Sequence, residues 1–289
     1  MNNSMLSELL LIRCPVCGND KNRELFQKQG FHIVCCSICN LVFVNPRLSK
    51  DALKRLYNSD VISKTEYYLS TAEEDKKSFI RRLNLIERYC NPGRLLDIGC
   101  GPGIFMSVAK ERGWAVFGVD INTASVEQCS KIDLKVTAGA FPHHDLENQL
   151  FNVIVMNDAI EHFSHPRQVL AEAYKLLETG GLLFISTPDI KSLIARVSGS
   201  RWLHMKPIEH LTYFDRNTIS RLLAEVGFKV LHYDSIGRYR SLRLIIDRIS
   251  TYSSLLSRII SYIIPTWFSR HISVPVNPGD EMVIIAQRS

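Results

Sequence analysis

Several short strings in the sequence carry residue types that can do chemistry. The first, Leu95-Leu96-Asp97-Ile98-Gly99-Cys100-Gly101-Pro102-Gly103, is an apolar run that ends in an acid and a glycine-rich turn. Glycines let a ligand approach the backbone closely. The helical segment Ile104 to Arg112, stopped by Gly113, adds free amides at its start. Pyrophosphate-binding turns use G-x-G-x-x-G, whereas the spacing here is G-x-G-x-G, with Asp97 adding negative charge beside the loop. Such a turn repels phosphate and attracts an ammonium. The next apolar run ends at Asp120, seventeen residues beyond Gly103. A carboxylate there can accept hydrogen bonds from both hydroxyls of a ribose, so the pair of acids fits a nucleoside joined to an amino acid.

A second pattern lies near the N-terminus. Cys14-Pro15-Val16-Cys17 and Cys36-Ser37-Ile38-Cys39 are two C-x2-C knuckles separated by eighteen residues, the spacing of a tetrahedral four-cysteine zinc site. Cys35 competes for the third position, but only Cys36 keeps the two-residue gap to Cys39. The alternative is four thiols that are merely buried or disulfide-linked. Cys90, Cys100 and Cys129 have no paired spacing and read as small core residues.

The third pattern is acid and histidine. Asn157-Asp158-Ala159-Ile160-Glu161-His162 follows the fourth apolar run, and Pro166 opens a helix soon after. If residues 158 to 162 form a helical turn, Asp158, Glu161 and His162 stand at i, i+3 and i+4 and converge. A later string, Ile208-Glu209-His210-Leu211-Thr212-Tyr213-Phe214, brings His210 toward the same crevice. Three readings stay open. Asp158, Glu161, His162 and His210 can hold a divalent cation such as Mg2+ or Mn2+ that lowers the pKa of a bound hydroxyl. His162 or His210 can serve as a metal-free general base beside Glu161. Or Glu161 and His162 only hold the loop and the bound ligand.

D-I-G-C-G-P-G followed by G-V-D resembles the cofactor motifs of class I methyltransferases. The resemblance implies that Gly99, Gly101 and Gly103 line S-adenosylmethionine, that Asp97 sits under its methionine end and that Asp120 holds its ribose. Asn157, at the site after the fourth strand, joins this cofactor set. Many relatives carry an acid for the adenine after the third strand; here the run is Gly139-Ala140-Phe141, and backbone or stacking on Phe141 takes that place. Val42 to Arg47, a Leu-x-x-Leu-Tyr helix and Tyr67-Tyr68 resemble the connector of ribbon-bearing bacterial methyltransferases, many of which act on sugars, glycolipids or secondary metabolites. D-x-x-E-H resembles the E-x-x-E-H element of ubiquinone-pathway O-methyltransferases and small-RNA 2′-O-methyltransferases. The Asn-Pro-Pro-Tyr signature of amino-methylating nucleic-acid enzymes is absent, which disfavours nucleic acid. The resemblance implies methylation of a small molecule, foremost a sugar hydroxyl in glycan or glycolipid (polysaccharide) biosynthesis. The alternatives are a quinone-like or secondary-metabolite acceptor, RNA, or a zinc-ribbon binding protein on an inactive fold.

The elements that must position these residues are legible from periodicity. Leu95 to Ile98, Ala115 to Val119, Leu134 to Val136, Val153 to Met156 and Leu182 to Ile185 alternate with helix-length segments, the pattern of βαβ units and a parallel sheet. Phe228 to Tyr233 and Met282 to Ala286 add an antiparallel edge. The expected fold is α/β, a Rossmann-like seven-stranded, mostly parallel sheet with helices on both faces plus a small N-terminal zinc ribbon. The expected boundaries are 1–47 for the ribbon, 48–90 for a helical connector and 91–289 for the main domain, with a helical insertion at about 238–272.

With 46% hydrophobic and 22% charged residues, the chain has ample material for a core and no sign of general disorder. The net charge of +6 is spread along the sequence without a basic block, so charge names no partner. No basic leader or small-residue cleavage site precedes Cys14, which predicts a reducing, cytoplasmic compartment. From Leu242 to Ile263 apolar residues recur at helical spacing, then Trp267 and Phe268, among Arg238, Arg240, Arg243, Arg248, Arg258 and Arg270. This amphipathic stretch, 242–268, suits peripheral contact with an anionic inner membrane face or a lipid-linked substrate, or alternatively a lid or dimer face. The oligomeric state is not legible.

Overall fold

The structure, a computed structural model, describes residues 8–57, 59, 65–250, 253–264, 269 and 272–289. The N-terminal part contains strands β1 (Leu9–Leu10), β2 (Asn22–Lys28), β3 (Phe31–Cys36), β4 (Val42–Val44) and β5 (Arg47–Leu48). Helices α1 (Lys50–Tyr57), α2 (Thr65–Ser70) and α3 (Ala72–Ile86) follow. The main sheet begins with β6 (Arg94–Ile98), then α4 (Ile104–Glu111), β7 (Ala115–Asp120), α5 (Thr123–Lys131), β8 (Lys135–Ala138) and β9 (Phe151–Asn157). Beyond it come α6 (Pro166–Leu176), β10 (Leu177–Pro188), α7 (Leu193–Ser198), β11 (Thr212–Tyr213), α8 (Arg216–Val226) and β12 (Phe228–Asp234). The last elements are β13 (Arg238–Ser241), α9 (Leu242–Ser250), α10 (Ser254–Ile263), β14 (Ser273–Val276) and β15 (Glu281–Arg288).

The seven-stranded sheet has the order β12-β15-β10-β9-β6-β7-β8. β6 pairs in parallel with β7 and β9, and β9 with β10, while β15 runs antiparallel between β10 and β12. The α/β, mostly parallel expectation holds, including its antiparallel edge. β6 and β9 are buried along nearly their whole length, Leu95, Leu96, Val153 and Ile154 at 0% exposure. Continuous apolar runs therefore mark strands covered on both faces. β10 starts five residues before the expected run, and its register shifts between Leu177 and Leu182 around Gly180 and Gly181.

The ribbon is welded to the main sheet's helices. β11 pairs antiparallel with β4, so a strand from beyond residue 200 completes the sheet β11-β4-β3-β2. Cys14, Cys36, Cys39, Leu41 and Phe43 share one buried cluster with Leu170 and Ala173 of α6 and Leu222 and Leu223 of α8. Arg167 of α6 donates twice to the carbonyl of Val16, at 3.0 and 2.7 Å.

The expected single amphipathic helix is two helices, α9 and α10, with Ser253 accepting from Leu256 N at 3.3 Å to start the second. They sit inside a β13–β14 pair that periodicity does not reveal. Tyr252, Pro265, Trp267, Phe268 and Arg270 lie outside the described residues. No helix among the described residues is long and apolar enough to cross a membrane.

Candidate active site

The loops after β6, β7, β8 and β9 open at the carboxyl edge of the sheet, where ligands bind in open α/β folds. They line one cavity of about 1570 Å³ that contains Asp97, Gly99, Gly101, Asp120, Phe141 and Asn157, together with Asp158, Glu161, His162 and His210. Gly103 is not among its lining residues. Its φ is +80°, and a Cβ there would lie 2.6 Å from Leu134 Cδ1 and 2.9 Å from Cys129 Sγ, so its need for glycine comes from packing behind the turn. Gly101, with φ +52° and open space around an added Cβ, is required by backbone conformation alone.

The two acids differ in their partners. Asp120 Oδ2 accepts from Gly101 N at 2.7 Å and Oδ1 from Asn122 N at 2.8 Å, which fixes the carboxylate while leaving acceptor capacity on both oxygens. Asp97 is 1% exposed, and its Oδ1 meets no hydrogen-bond partner among the described residues. Burial first, then repulsion from Asp120, pushes the Asp97 carboxyl up to about 8. An unmatched buried carboxyl oxygen beside an open cavity calls for a donor from a ligand.

The turn after β9 is held from below by Arg82, a fully buried residue of α3. Its guanidinium donates to Asn157 Oδ1 at 2.8 Å, Ser186 Oγ at 2.9 Å, Asp158 Oδ2 at 3.4 Å and Glu281. Arg238 of β13 bridges the same Asp158 and Glu281. Burial alone would raise the Asp158 carboxyl, but Arg238 and Arg82 together hold it well below the usual carboxylate range. This corrects the expected helical turn: Asp158 takes φ 50°, the short 3-10 turn spans Ile160–His162, and Asp158 is drawn to the arginines. The group whose candidate ligand atoms lie within 4.8 Å of one another is Glu161, His162 and His210, without Asp158.

Within that group Glu161 is 2% exposed and accepts from Thr187 Oγ1 at 2.9 Å. Burial, then the charge of Asp158, raises its carboxyl to about 8. The His162 and His210 rings meet edge to face at 4.8 Å between centroids. Two neighbours escape sequence reasoning. Tyr57 Oη lies 2.8 Å from His162 Nδ1, and His204 stacks on His210 at 6.2 Å.

The four knuckle cysteines also converge. Cys14 Sγ lies 3.4 Å from Cys39 Sγ and Cys17 Sγ 3.5 Å from Cys36 Sγ, and all four sulfurs fall within 4.8 Å. Four sulfurs at about 2.3 Å from a tetrahedral zinc stand about 3.8 Å apart, so this set fits the ion. Cys35 turns away, its thiol 3.7 Å from the carbonyl of Cys36. Burial raises the Cys14 thiol to about 11, so loading the site must release protons.

Residues 68–233 match the methyltransferase-domain family. The chain belongs to this family. It is a class I S-adenosylmethionine-dependent methyltransferase. The methyltransferase is 23% identical over 164 residues to an uncharacterized protein of Methanocaldococcus jannaschii, covering 57% of this chain and 78% of that one. It is 28% identical over 162 residues to a ubiquinone biosynthesis O-methyltransferase of Pelagibacter ubique, covering 48% of this chain and 66% of that one. The chain thus spans slightly under two thirds of that relative. Its fold is shared with S-adenosylmethionine-dependent methyltransferases of Thermotoga maritima (TM-score 0.54, 18% identity, 82% of this chain and 100% of that one) and Archaeoglobus fulgidus (TM-score 0.52, 21% identity, 76% and 99%). For the methyltransferase, the unmatched oxygen of Asp97 suits the cofactor's amino group and the fixed carboxylate of Asp120 suits its ribose.

Proposed function

We propose that this methyltransferase methylates a hydroxyl of a small molecule, and that the acceptor is a sugar in a glycan or glycolipid. The observation that carries the reading is the convergence of Glu161, His162 and His210 in the cavity that also contains Asp97 and Asp120. Asp97, Gly99, Gly101 and Asp120, with Phe141 and Asn157, bind S-adenosylmethionine, which supplies an activated methyl group. Gly103 sets the turn that presents them. His162 and His210 orient the acceptor hydroxyl, and one of them takes its proton; alternatively Glu161, His162 and His210 would hold a divalent cation, which would lower the pKa of the acceptor hydroxyl. Lys50 and Asp51 on the cavity wall can hydrogen-bond a polyhydroxylated acceptor, while the larger apolar share of the wall, Phe163, Ile194 and Leu203 included, suits a quinone-like acceptor equally. A second reading, a quinone-like acceptor, is supported by the relatives named for ubiquinone biosynthesis.

The test is transfer of labelled methyl from S-adenosylmethionine to nucleotide-linked or lipid-linked saccharides, with a polyprenylated catechol alongside. We expect a labelled saccharide ether and a loss of about 10²- to 10⁴-fold in rate for His162→Ala or His210→Ala. Label only on the catechol selects the second reading, and label only on nitrogen or carbon overturns hydroxyl methylation. Chelation that spares the structural zinc separates the two proton-removal routes.

A further inference from the structure

Tyr57 ends α1, in the connector, yet it touches both halves of the cavity. Its hydroxyl lies 2.8 Å from His162 Nδ1. Its main-chain carbonyl accepts from Asn122 Nδ2, also at 2.8 Å. Asn122 is the residue whose backbone N–H donates to Asp120 Oδ1 and whose side-chain oxygen caps α5 through Ser125 N at 3.0 Å. One residue therefore spans from the acid proposed to hold the ribose to the histidine proposed to face the acceptor. The ring contact is edge to face, with centroids 6.2 Å apart, so the tyrosine constrains the direction of the imidazole as well as its hydrogen bonding.

We infer that Tyr57 is a positioning residue that couples filling of the cofactor crevice to the orientation of His162, through Asp120, Asn122 and its own carbonyl and hydroxyl. The inference rests on the reading of Asp120 and His162 given above. A phenol hydroxyl at 2.8 Å can donate to Nδ1 and fix which ring nitrogen carries the proton, the role that a hydrogen-bonded orienting group plays for an imidazole. When a ligand engages Asp120, any shift of the Asn122 turn is passed to Tyr57 over a short, fully hydrogen-bonded path. Filling the crevice thereby adjusts an imidazole that Tyr57 already holds.

The experiment uses the full chain labelled with ¹⁵N-histidine, with His162 assigned by loss of its signals in His162→Gln, and with S-adenosylmethionine as the probe. In the wild type the His162 ring signals should report one tautomer and shift when the cofactor is added. Tyr57→Phe, which removes only the hydroxyl, should displace those signals and abolish their response to the cofactor. Asn122→Asp keeps the helix cap but loses the donor to Tyr57, so it should retain the His162 signals of the free wild type and lose the response. With the acceptor found above, Tyr57→Phe should lower kcat about 10- to 100-fold and leave KM for S-adenosylmethionine within about twofold. Unmoved His162 signals in Tyr57→Phe, or a full response in Asn122→Asp, overturn the coupling, provided the melting temperatures match wild type. An unchanged kcat in Tyr57→Phe while His162→Ala is impaired also overturns it. Displaced signals together with a fully active His162→Ala uphold the contact and instead remove His162 from the acceptor's chemistry.

Discussion

Asp97 carries a buried carboxyl whose ionised form the fold disfavours. Its carboxyl stands at about 8 in the folded chain against an ordinary 3.8. The folded state therefore holds a proton that the unfolded chain has released, and stability falls as pH rises from about 4 to about 8, with the full penalty present above that. Asp97→Asn should flatten this slope and stabilise the ligand-free protein at pH 8.5 by about 1–3 kcal/mol, read by urea denaturation at pH 5 and pH 8.5. The same variant should bind S-adenosylmethionine at least tenfold more weakly, because the donor loses its charged acceptor. Calorimetry near pH 7 in buffers of different ionisation enthalpy should show proton release on binding to the wild type and none attributable to this site in Asp97→Asn. Equal stability slopes in the two proteins would remove Asp97 as the strained group.

At the scale of elements, the turn between β6 and α4 separates two uses of glycine. Gly101→Ala meets open space and carries only the strain of φ +52°, whereas Gly103→Ala adds a Cβ within 3 Å of both Leu134 and Cys129 at φ +80°. We expect Gly101→Ala to cost about 1 kcal/mol and Gly103→Ala clearly more, about 2–4 kcal/mol, by thermal or urea unfolding. A reversed order would mean that α5 and β8 yield freely behind the turn. This turn, the cysteine pairs and most strands were legible in the sequence because their information is local: an apolar run, a glycine spacing, a two-residue gap. The departures have long-range causes. Arg82 reads as one more charge on a helix, yet its partner Asn157 lies 75 residues on and Glu281 lies 199 residues on. Asp158 could be read as a ligand by spacing alone, since nothing near it in sequence announces Arg82 or Arg238. Tyr57 meets His162 across 105 residues, and β11 joins the ribbon by setting Thr212 opposite Phe43, far away in sequence.

For the whole molecule, the ribbon and the main sheet share one core, since Cys14, Cys36 and Cys39 pack in the same cluster as Leu222 and Phe228. Zinc removal should therefore lower the melting temperature of a single transition that includes the cofactor domain, rather than melt a separate small unit. Scanning calorimetry with and without a chelator checks this, and two independent transitions would count against it. Cys36→Ser should reproduce the effect and Cys35→Ser should keep its zinc. The strand order also governs how the chain reaches this state. β10 borders β15, yet Leu182 meets Gln287, about a hundred residues later, so this pairing is among the most distant in the sheet. Until β15 is seated, β10 presents an open edge bearing Leu182 to Ile185, a short apolar run of the kind that joins strands between chains. Productive refolding is therefore a race between one late intramolecular pairing and intermolecular association, with a yield that falls steeply as protein concentration rises.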